Sequence, residues 1–149
     1  MNTSFLQKIA GFCTYRDRTH AEVRERLHEW GICGDEAEEM ILYLIENNYL
    51  NEERFAKAFA GGKFRVKNWG KMRIKHELKQ KGMSEYCVKI GLSEIDDQTY
   101  FETIKKLIIR KSREFDFDNP FLKKQKIARY IIGKGYESEL VWQFLGEED

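Results

Sequence analysis

Gly70 to Gly82 reads GKMRIKHELKQKG, and two other stretches share its plan: THAEVRERLHEWG from Thr19 to Gly31 and, more loosely, KKQKIARYIIGKG from Lys123 to Gly135. Each is a run of helix formers that closes on glycine, the residue best suited to the left-handed turn at a helix end. The closing glycines lie 51 and 53 residues apart. Self-similarity at a fixed period marks tandem units that bury their faces against one another. A short helix, a turn and a second helix also resemble a helix-turn-helix unit, a form used on DNA and equally as a purely structural element.

Working outward, each middle helix is flanked by two others. Thr3 to Arg16 carries Phe5, Ile9, Phe12 and Cys13 at helical spacing. Thr19 and Glu22 form a capping box ahead of Val23, Leu27 and Trp30. A third helix starts near Asp35, with Met40, Ile41, Leu44 and Ile45 as its apolar stripe. The order then restarts at Asn51, a cap for a long helix bearing Phe55, Ala56, Phe59 and Phe64, which Gly61-Gly62 is expected to weaken or bend. Ser84 caps a helix with Cys87, Val88 and Leu92. Gln98 to Glu114 (Phe101, Ile104, Leu107, Ile108), a helix opened by Asn119-Pro120, and Ser138 to Leu145 complete the last third. The expected fold is all-α: three tandem three-helix repeats, 1–50 (acidic), 51–95 (basic) and 96–149 (basic), forming an elongated, curved molecule. Modules that contact only their neighbours should survive in part when the chain is cut near Leu50 or Ile95.

The formal net charge of +1 hides a polarised chain. Arg54 to Lys81 holds ten cations against one carboxylate, Glu77, whereas Cys33 to Glu53 holds seven acids and neither Lys nor Arg. Between Lys105 and Lys134 ten cations again face only Glu114, Asp116 and Asp118. A basic block with embedded aromatics suits phosphate contacts by the cations and ring contacts by Phe64 or Trp69; it is equally the composition of a solvated helix face.

Other classes are poorly supplied. No apolar run approaches the roughly 20 residues of a membrane span, and the N-terminus lacks the apolar core of a secretion signal, which places the chain in the cytoplasm. Cys13, Cys33 and Cys87 are odd in number and widely spaced, as buried thiols are, and His20, His28 and His76 make no metal spacing with them. There is no GxxxxGK[ST], HExxH or GxSxG. Carboxylate pairs such as Asp96-Asp97 are solvated charge by default. The reading is a protein that is not an enzyme and needs no cofactor or metal.

The stretch YLNEERFAKAFAGGKFRVKNWGKMRIKHELKQKGM, Tyr49 to Met83, resembles the central motif of the RecX family of recombinase regulators. Its marks occur in order: the aromatic-Leu-Asn-Glu start, Phe55-Ala56 and Phe59, the Gly70 to Leu78 run and the closing Lys81-Gly82. YRDRTHAEVRERLHEWGI upstream resembles the first repeat of that family. Many relatives have proline where this chain has Lys71, and the third repeat matches only by helix order and apolar positions. The resemblance implies three consecutive three-helix repeats and a regulator that binds the RecA nucleoprotein filament, restraining ATP hydrolysis and strand exchange or hastening disassembly. Expected partners are that filament and single- and double-stranded DNA, with no membrane, and the chain is expected to be monomeric because a capped repeat array needs no second copy. The alternative is a tandem helix-turn-helix DNA-binding protein acting without RecA.

Candidate filament or DNA contacts are Lys63, Arg65, Lys67, Trp69, Lys71, Arg73, Lys75 and Lys79 in the middle repeat and Lys123, Lys124, Lys126 and Arg129 in the last. Lys63, Arg65, Lys67, Lys71 and Lys75 are expected to act together on phosphates. Trp69 is read either as part of that contact strip or as a core residue clamping two helices. Arg73 projects from another side of its helix.

Overall fold

The computed structural model describes residues 2–116 and 118–147. Among these the chain forms nine helices and no strand: α1 (Thr3–Tyr15), α2 (His20–Glu29), α3 (Gly34–Glu46), α4 (Glu52–Lys67), α5 (Lys71–Gln80), α6 (Glu85–Leu92), α7 (Asp97–Glu114), α8 (Pro120–Gly133) and α9 (Ser138–Glu147). The ends are set locally. Thr19 and Glu22 form the capping box of α2, Asn51, Ser84 and Asp96 each accept a first-turn amide, and Asn119 caps α8 with Pro120 at its first position. Gly31, Gly82 and Gly135 take φ of +80°, +84° and +108°, values a side chain would oppose.

α4 runs unbroken through Gly61-Gly62 to Lys67; Gly61 is buried, and the Arg65 guanidinium lies 2.8 Å from where a Cβ would stand. Two local expectations change. Ile45 leaves the core and is 41% exposed, because Ala37, Met40, Ile41 and Leu44 already fill the inward face of α3. Of the cysteines only Cys13 is buried, its thiol pushed up to about 11 by desolvation, whereas Cys33 is exposed at the N-cap of α3 and Cys87 is half-buried.

The helices pack in threes, yet the joints between the threes are unlike. α1–α3 enclose their own core around Ile9, Leu27, Met40 and Leu44. α4–α6 and α7–α9 instead share one core that runs from Phe55 to Leu145. At that shared joint Phe64 meets the Tyr100 ring at 5.8 Å and Tyr100 meets Tyr136 at 5.1 Å. The backbones bond directly: Gly70 N–H donates to the Lys134 carbonyl and Met72 N–H to the Gly135 carbonyl, both at 2.9 Å. The Tyr136 hydroxyl donates to the Asn68 carbonyl at 2.9 Å, and the Tyr100 hydroxyl accepts Lys71 N–H at 3.0 Å and donates to Glu137. Burial drives both phenols well above their usual range, so they stay neutral donors.

The joint between α1–α3 and α4 is polar. Arg54 binds Asp17 at 2.6 Å and the carbonyls of Asn48 and Tyr49 at 3.1 and 3.3 Å, and Glu52 faces His20 at 3.6 Å. The total surface of 9294 Å² exceeds the roughly 8000 Å² of a compact protein of 17.8 kDa, as expected for two separate cores in place of one. A partly exposed ionic joint is weak beside a shared core. Arg54→Ala is therefore expected to leave both cores folded while loosening the angle between them. Small-angle scattering checks this: the variant should show a larger radius of gyration with unchanged helicity.

Candidate nucleic-acid interface

Phe59 and Trp69 meet edge to face, centroids 6.3 Å apart, on one side of α4 and the turn after it. Lys63, one turn beyond Phe59, lies 5.5 Å from that ring and 5.0 Å from Trp69. The Arg73 guanidinium lies 4.1 Å from the Trp69 centroid, and Lys81 lies 5.5 Å from Phe59. Lys63 and Lys81 are thus each 5.5 Å from one centroid and no more than about 11 Å apart. Among the described residues none of the three cations pairs with a carboxylate. Trp69 is half-buried and packs on the shared core, so it belongs to that core and carries cations as well. Rings so covered orient charge. Base stacking needs a bare face.

The other candidates lie elsewhere. Lys67 stands one turn past Lys63 on the same side of α4 and is exposed. Arg65, about 200° round from Lys63, folds along its own helix beside a depression shared with Glu53, Arg54, Lys57 and Glu94. Lys71 is half-buried, 3.2 Å from Asp97 and 4.7 Å from the Tyr100 ring. Lys75 and Lys79 face α6, bordering a depression of about 360 Å³ with Glu85 and Lys89. The five cations expected to act together therefore occupy different sides of α4 and α5. In the third unit, Lys123 and Lys124 line a groove between α7, α8 and α9, Lys126 sits 5.4 Å from the Phe115 ring, and Arg129 is exposed.

The candidate contacts read from the sequence do not include Phe59 or Lys81. Phe59-Lys63 spacing was legible as one turn of helix; the approach of Lys81, 22 residues on, was not.

Profiles of the first, second and third three-helix domains of RecX match residues 6–44, 51–92 and 98–145 in that order. The chain belongs to the RecX family. A "Regulatory protein RecX" of Clostridium perfringens is 34% identical over 125 residues, which cover 80% of this chain and 57% of that protein. One of Lactobacillus johnsonii is 30% identical and covers 91% and 50%. The chain thus spans about half the length of these relatives, whereas it covers 91% of a 26% identical RecX of Prosthecochloris aestuarii. The crystal structure of RecX from Lactobacillus salivarius superposes with a TM-score of 0.90 over 97% of this chain and 94% of that one, at 21% identity, a likeness of fold. Among the described residues no helix is long and apolar enough to cross a membrane, and no group of His, Cys, Asp and Glu could hold a metal.

Proposed function

We propose that this RecX chain is a cytoplasmic, non-enzymatic regulator that binds the RecA filament on single-stranded DNA and inhibits its ATP hydrolysis and strand exchange. The observation that carries this is the ordered match of all three RecX domains to relatives named regulatory proteins. The Lys63, Arg73 and Lys81 cluster supplies a phosphate-binding surface for single- or double-stranded DNA, with Lys67 at its edge. The test adds the protein to RecA on single-stranded DNA and follows ATP hydrolysis. Inhibition that rises with protein concentration supports the reading. Unchanged hydrolysis together with tight binding to naked DNA supports a DNA-binding protein that acts without RecA.

The cluster makes its own prediction. Replacing Lys63, Arg73 and Lys81 by Gln is expected to lower the slope of log K against log salt for single-stranded DNA by about 2, since each phosphate contact contributes roughly 0.7. An unchanged slope would move DNA away from this cluster. Arg65→Gln, on another side of α4, should change the slope by less than any one of the three.

A further inference from the structure

The first and third units carry complementary surfaces that their own cores leave open. On α3, Leu42 is 54% and Tyr43 36% exposed, flanked along the outward face by Asp35, Glu39 and Glu46. Glu38 is taken by Arg24 at 2.9 Å, whereas among the described residues Asp35, Glu39 and Glu46 enter no ion pair. In the third unit a groove of about 490 Å³ is lined by Ile109, Ile127 and Leu145 and bordered by the cations Arg113 and Lys123. Ile109 is 40% exposed there, although its neighbour Ile108 is buried.

We propose that this groove receives α3 of a second copy of the chain, so that copies join head to tail. The signs are opposite, and each patch has apolar side chains within a charged border, the arrangement of an interface core and its rim. Leu42 and Tyr43 supply the side chains that enter and Ile109 part of the surface that receives them. The two patches belong to different cores and different ends of one chain. The contact is therefore heterologous, and copies joined by it form an open chain or a ring. Each core is complete without it, so the association is reversible, and its charged rim makes it sensitive to salt. The inference goes beyond the RecA reading and is tested without recombinase or DNA.

The experiment is light scattering and sedimentation of the full chain up to about 1 mM, where a Kd in the millimolar range is visible. At ~0.1 M salt the weight-average mass should rise at least about twofold with concentration. At ~1 M salt, where the Debye length shrinks from roughly 10 to 3 Å, the rise should largely disappear. Glu39→Lys with Glu46→Lys makes the head basic, and Arg113→Glu with Lys123→Glu makes the tail acidic. Each double variant alone should stay monomeric, and an equimolar mixture should associate again because heads and tails of opposite sign are both present. Circular dichroism confirms that each variant is folded; Glu39→Gln with Glu46→Gln replaces a head variant that is not. A monomer at every concentration, a dimer that grows no further, association that survives both reversals, or a mixture that stays monomeric would each overturn the proposal.

Discussion

Gly70→Ala is expected to lower stability by about 3 kcal/mol or more, and Tm by roughly 10–20 °C for a cooperative body of about a hundred residues. A Cβ at Gly70 would stand 2.2 Å from the Gly135 carbonyl carbon, 2.3 Å from Tyr136 N and 2.4 Å from the Gly135 oxygen. These are backbone atoms of the turn between α8 and α9. No rotamer change relieves the clash. Moving the turn away would stretch the Gly70 to Lys134 and Met72 to Gly135 bonds and draw the Tyr136 hydroxyl from Asn68. The approach is reciprocal, since a Cβ at Gly135 would lie 2.4 Å from the Arg73 Cβ at a φ of +108°. Gly62→Ala is the contrast: nothing lies within 4 Å, the site is inside α4, and the change should stabilise by about 0.5–1 kcal/mol. Thermal unfolding of the two variants followed by circular dichroism decides the matter. A fall of less than about 3 °C for Gly70→Ala would mean that the α5 to α8 joint yields to the added methyl group.

Cutting the chain should have an even larger effect, and a different one at each joint. A fragment of residues 51–149 retains the whole shared core and is expected to unfold in one cooperative transition, as a protein of its size does. A fragment of residues 1–95 keeps the α1–α3 core but strips α4–α6 of Tyr100, Ile104, Ile131 and Tyr136, exposing Phe64 and the amide face of α5. Losing a large part of a core of this size exceeds the 5–15 kcal/mol by which domains are stable, so residues 51–95 should be unfolded in that piece while 1–50 stays helical. The equal survival expected from a row of like modules would require like joints, and one joint is a shared core while the other rests on Arg54, Asp17 and Glu52. Hydrogen exchange measured by mass spectrometry on both fragments reads this residue by residue. Strong protection of α4 and α6 in the 1–95 fragment would show that the second unit folds alone. Because Lys63, Arg73 and Lys81 all lie within 51–149, that fragment is expected to retain the DNA affinity proposed for the cluster, and comparing the fragment with the whole chain in the RecA ATPase test measures what the first unit adds.

The helices, their caps and their glycine stops were legible because they depend on neighbours within four or five residues. Thr19 finds Glu22 in its own first turn, Asn119 stands next to Pro120, and Gly82 must turn left-handed whatever packs on it. The family was legible for the same reason, since its marks are contiguous between Tyr49 and Met83. What the cations do was not. Lys71 and Lys81 are alike in sequence, but a fold that brings Asp97 to Lys71 neutralises the first, and one that brings Phe59 to Lys81 leaves the second unpaired. Tyr100 reads as one more residue of an amphipathic helix, and only docking against Phe64, Lys71 and Tyr136 makes it the buried centre of a joint. Gly70 reads as the start of a helix and proves to be the place where two backbones touch. Local hydrogen bonding was therefore decided by the order of residues. The pairing of charges and the difference between one joint and the other rest on contacts between residues tens of positions apart, which no local pattern encodes and only the packed tertiary structure brings about.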